Sequence, residues 1–375
     1  MQIVGTNHGG YANQRNISDL PLDGFGVVRA RNLMRIPNFL YFKATGNMHR
    51  YWGNLHLDAG FSNCDLLHFF NGISLGRKPW ISTFETFLPR WVAYGGKYKE
   101  WGLKQLAKPQ CKQLIALSEC SKAIQLSFME EFPQLKAEIM PKVSVIQPSQ
   151  AVQVDNLDQK PPVSEGIKLV LVGADFFRKG GLETLRAVTH LLEQGENLYL
   201  EIVSSLQTGD YASHAGESEK QEAIQLINRF PEHIRWHKQL PNSEVLALFK
   251  AAHIGLLPTW ADTYGYAALE AMATGCPVIS TNVRALPEIN DNERGWLIEV
   301  DKDDWGNAKL DTEALRNQFS QNLTASLINI LSSITEQPEA IEQKSALALA
   351  HIKKNHAPDL AAKRTMEIYQ EALKN

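Results

Sequence analysis

The sequence predicts an α/β protein with two domains, each built on a mostly parallel β-sheet. Its 375 residues exceed the length at which one core stops growing, and 44% of them are hydrophobic, enough for two cores. Short β-rich runs alternate with helical stretches along the chain, as in domains whose helices cover a parallel sheet. Between Gln150 and Gly166 the chain turns polar and contains Pro161-Pro162, which favours an extended connector. The first domain is therefore expected at residues 1–160 and the second at 161–350.

Apolar runs of strand length predict the two sheets. In the first domain they are Phe39–Phe42, Leu66–Phe70, Trp80–Phe84, Leu114–Leu117 and Val143–Ile146. The second domain opens with Ile167–Gly173, which is apolar enough for a strand buried on both faces. A helix over Gly181–Glu193 and a strand over Leu198–Val203 then complete a βαβ unit. The remaining predicted elements are strands at Ile234–Trp236, His253–Leu257 and Pro277–Ser280 and helices at Ser243–Ala252, Tyr266–Ala273 and Ala357–Leu373.

Charge differs between the two halves of the chain. The net charge of −3 argues against a general nucleic-acid binder, whose footprint would be a basic domain or stripe. Residues 1–160 nevertheless hold 18 Lys and Arg against 12 Asp and Glu. Part of this excess is a run that either meets an anionic acceptor or membrane face, or forms a solvated helix face: Lys97, Lys99, Lys104, Lys108 and Lys112.

The amino-terminal residues and the apolar runs of the sequence indicate where in the cell the protein is expected. No run of about 18 apolar residues predicts a membrane span. Met1–Thr6 lacks a basic leader and an apolar core, so it is interpreted as a first strand. A cytoplasmic protein is therefore expected, with contact at the inner face of a membrane as an option that the lysines leave open.

Residues 258–280 carry the clearest chemical signal. A strand ends at Leu257, a loop carries Asp262 to Gly265, and an alanine-rich helix begins near Tyr266. The first amides of a helix and its positive dipole end form a binding site for phosphate. Glu270, about one turn into that helix, has two carboxylate oxygens that suit the vicinal hydroxyls of a ribose. In the alternative interpretation neither residue binds a ligand: Glu270 is a solvated helix residue and Asp262 forms a turn.

This segment resembles the signature of the family-four retaining glycosyltransferases. The resemblance lies in Asp262, followed eight positions later by Glu270 within Leu-Glu-Ala-Met-Ala-x-Gly-x-Pro-Val. Leu286–Ile289 and the basic loop Val172–Gly181 also resemble elements of that family. Weaker similarity is found in the first half at Thr6–Gly10, like a glycine loop after strand one, and at Ile115–Lys122.

The resemblance implies the GT-B fold, in which two Rossmann-like domains face each other across a cleft. The second domain would bind a nucleotide-diphosphate sugar and the first a glycan or lipid-linked acceptor, while residues 351–375 would form a helix packing back on the first domain. No metal or cofactor is expected, and a UDP-sugar is the favoured donor. The implied catalytic residues are Arg178, Lys179 and Asp262, and the implied donor contacts are Gly9, Gly10, Gly265, Tyr266, Ala267 and Glu270.

Several positions depart from the family or admit a second interpretation. The family's first acid is usually glutamate, whereas this chain has Asp262, and Glu85 stands where a histidine is frequent. Glu85 is thus either an acceptor or sugar contact, or an ordinary polar residue at a strand end. Asp301-Lys302-Asp303-Asp304 is either a metal-binding D-x-D motif or a solvated loop. A set of aromatic residues either stacks on a sugar acceptor or packs in a helix: Trp91, Tyr94, Tyr98 and Trp101.

Three other functions remain open on the sequence. A nucleotide-sugar epimerase on the same scaffold would turn over donor without acceptor. A catalytically silent protein would bind nucleotide and leave it intact. A module that binds polymeric glycan alone is disfavoured, because it has no use for the basic loop and the phosphate-binding helix start.

Overall fold

The computed structural model describes residues 1–7, 10–47, 49, 52–90, 96–158 and 160–374, with the backbone alone at 96 and 97. The chain divides into two compact units. The first unit comprises Met1–Ser149 with His356–Asn375, and the second comprises Gln150–Asn355.

Fourteen strands are found among the described residues. They are β1 Gln2–Thr6, β2 Phe25–Arg29, β3 Leu55–His56, β4 Leu66–Phe70, β5 Ile73–Ser74, β6 Trp80–Phe84, β7 Cys111–Ala116, β8 Val143–Val145, β9 Ile167–Val172, β10 Leu198–Val203, β11 Ile234–His237, β12 Ile254–Leu257, β13 Val278–Thr281 and β14 Trp296–Ile298.

Most α-helices of the described residues lie between these strands, and the last three follow β14. They are α1 Tyr11–Asn13, α2 Arg35–Thr45, α3 Gly96–Ala107, α4 Glu119–Phe128, α5 Pro133–Ile139, α6 Gly181–Glu193, α7 Glu217–Arg229, α8 Asn242–Ala251, α9 Tyr266–Ala273, α10 Leu286–Ile289, α11 Glu313–Glu336, α12 Glu339–Asn355 and α13 Pro358–Lys374.

The first unit is built on a six-stranded parallel sheet in the order β2-β1-β4-β6-β7-β8. The last helix, α13, packs on this sheet, where Tyr369 joins a core that includes Val4, Leu66 and Ile81. The Tyr369 hydroxyl lies 2.6 Å from Nδ1 of His68 on β4. The carboxyl-terminal helix is thus part of the first core.

The second unit contains a six-stranded parallel sheet in the order β11-β10-β9-β12-β13-β14. Numbered within the unit, this order is 3-2-1-4-5-6, the arrangement of dinucleotide-binding Rossmann domains. Strands β12 and β13 are buried throughout, as expected for parallel strands covered on both faces. The expectation of two Rossmann-like parallel-sheet domains is confirmed.

The boundary between the units differs from the sequence expectation of 160/161. The structure places it between Ser149 and Gln150, because the connector packs on the second unit. Gln153 N–H donates to the Ala273 carbonyl at 2.8 Å, and the Lys160 ammonium donates to the carbonyls of Phe249 and Ala252 at 2.9 and 2.8 Å. The tail likewise joins the first unit at His356 and not at 351, because residues 351–355 complete α12.

One predicted strand is wrong. Phe39–Phe42 lies inside helix α2, which ends at Gly46 in the left-handed conformation with φ +71°. A run of four apolar residues is of strand length, but it carries no period that distinguishes a strand from a helix. None of the helices among the described residues is long and apolar enough to cross a membrane.

Candidate functional site

The basic loop, residues 172–181, and the loop of the signature segment, residues 258–265, meet at the centre of the second sheet. They follow β9 and β12, the neighbouring strands at which the strand order reverses. The Trp260 N–H and the Thr259 hydroxyl both donate to the Arg178 carbonyl, at 2.8 and 3.0 Å. In open α/β sheets, ligands bind beyond the carboxyl ends of the strands at such a switch point. The topology therefore brings the two loops together at the expected edge of the sheet.

Arg178 and Lys179 are each held by a carboxylate. Arg178 Nε donates to Asp175 Oδ2 at 2.6 Å, and its Nη1 donates to the Ala261 carbonyl at 2.6 Å. The Lys179 ammonium contacts Asp262, and the two side chains are 14% and 13% exposed. Two cations and two anions thus converge, so the local charge is close to balanced before any ligand arrives.

Two glycines allow the loops to approach each other and the helix that follows. Gly180 adopts φ +75°, and a Cβ there would lie 2.0 Å from the Pro258 carbonyl oxygen. Gly265 adopts φ +104°, and a Cβ there would lie 2.5 Å from Leu286 Cδ2. Both positions require the left-handed region that glycine enters without strain, and neither has room for a side chain.

Helix α9 begins immediately after Gly265. The amides of its first turn, from Tyr266 and Ala267 on, point out of the helix start together with the positive end of the helix dipole. Glu270 lies at the fifth helical position and is 8% exposed. The structure therefore gathers Arg178, Lys179, Asp262 and the start of α9 on two adjoining loops, with Glu270 one turn further along the helix.

The first unit contains a separate cavity of about 670 Å³ at its own sheet edge. Gly10 and Glu85 line it, after β1 and β6 respectively. Gly9 lies outside the described residues. Glu85 Oε1 accepts from Arg90 Nη1 at 2.6 Å and from Asn71 Nδ2 at 3.2 Å. Glu85 is thus fixed in place beside the cavity.

Two buried asparagines add polar groups to the wall of this cavity. Asn13 and Asn38 are 3% and 8% exposed, and each Oδ1 lacks a hydrogen-bond partner among the described residues. Their amide nitrogens donate elsewhere, Asn13 to the Thr6 hydroxyl at 3.4 Å and Asn38 to the Trp52 carbonyl at 2.8 Å. Buried acceptors without a donor are rare in folded proteins, and these two oxygen atoms are closed to solvent, so they are unsatisfied polar groups within the wall of the cavity.

A neutral histidine stands behind the cavity. His56 Nδ1 lies 3.2 Å from Oδ1 of Asn7, which is part of the wall. Burial lowers the pKa of His56 to about 4. The imidazole is therefore uncharged at neutral pH, where it donates to Asn7 without placing a positive charge near the cavity.

Residues 153–327 match the family described as glycosyl transferases group 1, and the matched span contains both loops and all of α9. The match confirms the expectation of a glycosyltransferase that rested on the signature segment.

Curated relatives match the group 1 domain and its surroundings. The chain is 25% identical over 190 residues to a D-inositol 3-phosphate glycosyltransferase of Streptomyces griseus, which covers 50% of this chain and 36% of that protein. A D-inositol 3-phosphate glycosyltransferase of Corynebacterium jeikeium is 29% identical over 132 residues, 35% of this chain and 31% of its own length. The chain thus spans about a third of the length of these relatives.

Solved structures extend the likeness to the whole fold. A glycosyltransferase from Rickettsia africae superposes with a TM-score of 0.61 at 15% identity, covering 100% of this chain and 91% of that one. The Anabaena protein HepE, solved in complex with UDP, has a TM-score of 0.61 at 14% identity, covering 99% and 100%. At this identity the likeness concerns the fold alone, and it confirms the GT-B fold class.

Two further sequence expectations concern the D-x-D motif and the set of aromatic residues. Asp303 acts as a turn former: its Oδ1 accepts from the amides of Trp305 and Asn307 at 2.9 and 2.8 Å. Within the described part of the chain, no three His, Cys, Asp or Glu side chains are arranged to hold a metal. Tyr98 and Trp101 lie on α3 and are 50% and 41% exposed, whereas Trp91 and Tyr94 fall outside the described residues.

Residues that no sequence pattern singled out complete both sites. In the group 1 domain these are Asp175, which holds Arg178, and Tyr211, whose ring centroid lies 5.8 Å from the Arg178 guanidinium carbon. Asp175 stands within the basic loop and could have been identified from its place three residues before Arg178. Asn13 and Asn38 of the first unit carried no such signal, because their shared cavity is formed by tertiary structure.

Proposed function

We propose that this chain is a retaining glycosyltransferase that moves a sugar from a nucleotide-diphosphate sugar to a glycan or lipid-linked saccharide. The observation that carries the proposal is the meeting of the Arg178–Lys179 loop with the start of α9 at the switch point of the second sheet. Cations and helix amides at one edge suit a diphosphate. The match of residues 153–327 to the group 1 family supports the same reaction class.

The donor would occupy the second unit. Its diphosphate would lie against Arg178, Lys179 and the amides of Tyr266 and Ala267, while Glu270 would accept hydrogen bonds from the ribose hydroxyls. Arg178 offers a planar fork of donors, and Lys179 a compact positive charge. Asp262 would accept from a hydroxyl of the donor sugar once the diphosphate draws Lys179 away from it.

The reaction breaks the bond between the anomeric carbon and the diphosphate oxygen, whose electron pair leaves with the nucleoside diphosphate. The acceptor hydroxyl oxygen forms its new bond on the same face of the sugar, and its proton passes to the departing phosphate. Positive charge develops on the sugar and negative charge on the leaving oxygens. Arg178, Lys179 and the α9 start would stabilise the negative charge through preorganised donors.

The acceptor would bind in the cavity of the first unit. Glu85 would accept from a sugar hydroxyl at the wall of this cavity. Gly10, and Gly9 before it, would leave room for the donor sugar. Because the cations of the second unit would neutralise the leaving diphosphate, we propose that transfer proceeds without a metal; loss of activity on chelation would contradict this.

A calorimetric screen of nucleoside diphosphates and their sugar conjugates tests donor binding. Uridine compounds come first, since the Anabaena protein of the same fold was solved with UDP. Binding of a conjugate, its turnover in the presence of an acceptor and an unchanged anomeric configuration in the product, read by NMR, would support the proposal. Conversion of the donor sugar without acceptor would identify an epimerase instead. Binding without any turnover across acceptors would identify a silent binding protein.

A further inference from the structure

Helix α2 of the first unit exposes an unusual set of large apolar side chains. Ile36, Phe39, Leu40 and Phe42 are 62%, 56%, 61% and 48% exposed. These four residues lie within seven positions of one helix of eleven residues. Single exposed apolar residues are normal on protein surfaces, but a contiguous group of this kind marks an interaction site.

Helix α2 is amphipathic in the opposite sense to an ordinary surface helix, whose apolar side faces the protein. At 3.6 residues per turn, Ile36 and Leu40 lie about 40° apart on one side, and Asn38 lies on the opposite side. Asn38 is 8% exposed and is held by the Trp52 carbonyl, so a polar residue faces the protein while isoleucine and leucine face outward. Core packing therefore does not account for the apolar face.

The charge around α2 indicates which kind of partner its apolar side suits. Residues 24–57 contain five Lys and Arg and no Asp or Glu. Of these, Arg29, Arg31, Arg35 and Lys43 are exposed, and none forms an ion pair with a described residue. Lys43 lies 4.9 Å from the Phe39 ring centroid, in the middle of the apolar face. Long basic side chains among apolar ones suit the interface of an anionic bilayer, where the stem is buried and the charge meets the lipid phosphate.

The lysines of α3, which the sequence singled out, are less suited to this role. Lys99 is paired with Glu131 at 3.1 Å and Lys104 with Glu100 at 2.7 Å. Lys108 donates to the Gln105 side chain at 2.6 Å. These contacts neutralise part of the positive charge within the protein. Helix α3 also presents fewer exposed apolar side chains beside its lysines than α2 does.

We propose that α2 docks on an anionic lipid bilayer, inserting Ile36 and Leu40 below the headgroups while Lys43 and Arg35 meet the phosphates. The interaction goes beyond the proposed sugar transfer, since it needs neither donor nor acceptor. Phe39 and Phe42 are also part of the cavity wall in the same unit. A cavity that opens beside a membrane-bound helix would receive the head of a lipid-linked saccharide without removing its chain from the bilayer.

Vesicle co-sedimentation tests the proposal on the full chain without any nucleotide sugar. The vesicles contain equal parts of phosphatidylglycerol and phosphatidylcholine, or phosphatidylcholine alone. The wild type should sediment with the anionic vesicles and much less with the neutral ones. The double variant Ile36→Asn/Leu40→Asn should bind the anionic vesicles about 10- to 100-fold more weakly, because two large apolar side chains no longer enter the bilayer. Both residues are exposed and outside the cavity wall, so the variant should fold and keep its activity on a water-soluble acceptor.

Two controls separate this proposal from its competitors. Leu347→Asn removes a leucine that is 50% exposed on α12 of the second unit and should leave vesicle binding unchanged. Lys104→Gln/Lys108→Gln tests the α3 lysines and should weaken binding little. The proposal is overturned if the wild type ignores anionic vesicles, if the α2 variant binds like the wild type, or if sedimentation velocity shows that α2 instead joins two copies of the chain. Because no donor is present, failure here leaves the proposed transfer reaction untouched.

Discussion

The ammonium of Lys179 contacts the carboxylate of Asp262, a residue 83 positions further along the chain. The contact joins the loop after β9 to the loop after β12, and both side chains are largely buried. Removing one partner of a buried ion pair strongly destabilises the folded protein, because the remaining charge is then uncompensated. The pair thus keeps both groups in place at the junction of the two loops.

Replacing Lys179 tests its proposed role in the chemical step. Lys179→Ala should lower the turnover number about 100- to 1,000-fold, as expected when one donor to a developing negative charge is lost. Steady-state kinetics with the donor found by calorimetry provide the measurement. Lys250→Ala, on the exposed end of α8, is the matched control and should behave as the wild type. Unchanged turnover of the Lys179 variant, with its fold intact by circular dichroism, would refute the assigned role.

Glu270 should act on the nucleoside and not on the phosphates. Glu270→Gln should weaken binding of a nucleoside diphosphate about 10- to 100-fold, since hydrogen bonds to a charged acceptor are worth about 1.5–3 kcal/mol. Binding of inorganic pyrophosphate should stay the same. Calorimetry of both ligands with the variant and with Glu244→Gln on α8 distinguishes the two contributions. Equal losses for both ligands would mean that Glu270 supports the helix start and not the ribose.

Gly10 should matter for ligands and not for folding. Its φ is −66°, and a Cβ built there meets nothing within 4 Å, so the protein itself tolerates a side chain. Gly10→Val should therefore leave the melting temperature within about 2 °C of the wild type. Turnover should fall by about tenfold or more, because the side chain enters the cavity and displaces a sugar. Gly10→Ala should give an intermediate loss; full activity of both variants would show that no reacting group comes near Gly10.

The core of the first unit should lose stability as the pH falls. Burial lowers the pKa of His68 to about 3, against 6.5 when unfolded, so the unfolded chain binds more protons between these values. Stability contributed by neutral His68 is therefore complete above pH 6.5 and declines as the pH falls towards 3.

Urea denaturation between pH 6.5 and 4.5 measures this dependence. His68→Gln should be less stable at neutral pH but should show a shallower decline than the wild type. His190→Gln, at an exposed position on α6, should keep the slope of the wild type. Parallel curves for the wild type and His68→Gln would show that this histidine does not carry the proton linkage.

The segment from Ile254 to Thr281 could be predicted almost residue by residue. Helix α9 was expected at Tyr266–Ala273 and is found there, because the loop glycine and the helix-ending Gly275 stand directly at its two ends. Helix α11, by contrast, was not predicted from the sequence. Its buried residues Phe319, Leu323 and Leu327 recur every four positions, but its start among polar residues conceals this period in a short window.

By itself, the sequence determined the alternation of strands and helices, the start of α9 and the residue types that suit a diphosphate, since these depend on local periodicity and on glycine at fixed positions. Only the tertiary structure decided that Lys179 is paired with Asp262, that Tyr369 closes the first core against His68, and that α2 turns its apolar side outward. Strand order and helix orientation arise from contacts between residues far apart in the chain, and such contacts leave no periodic trace in the sequence.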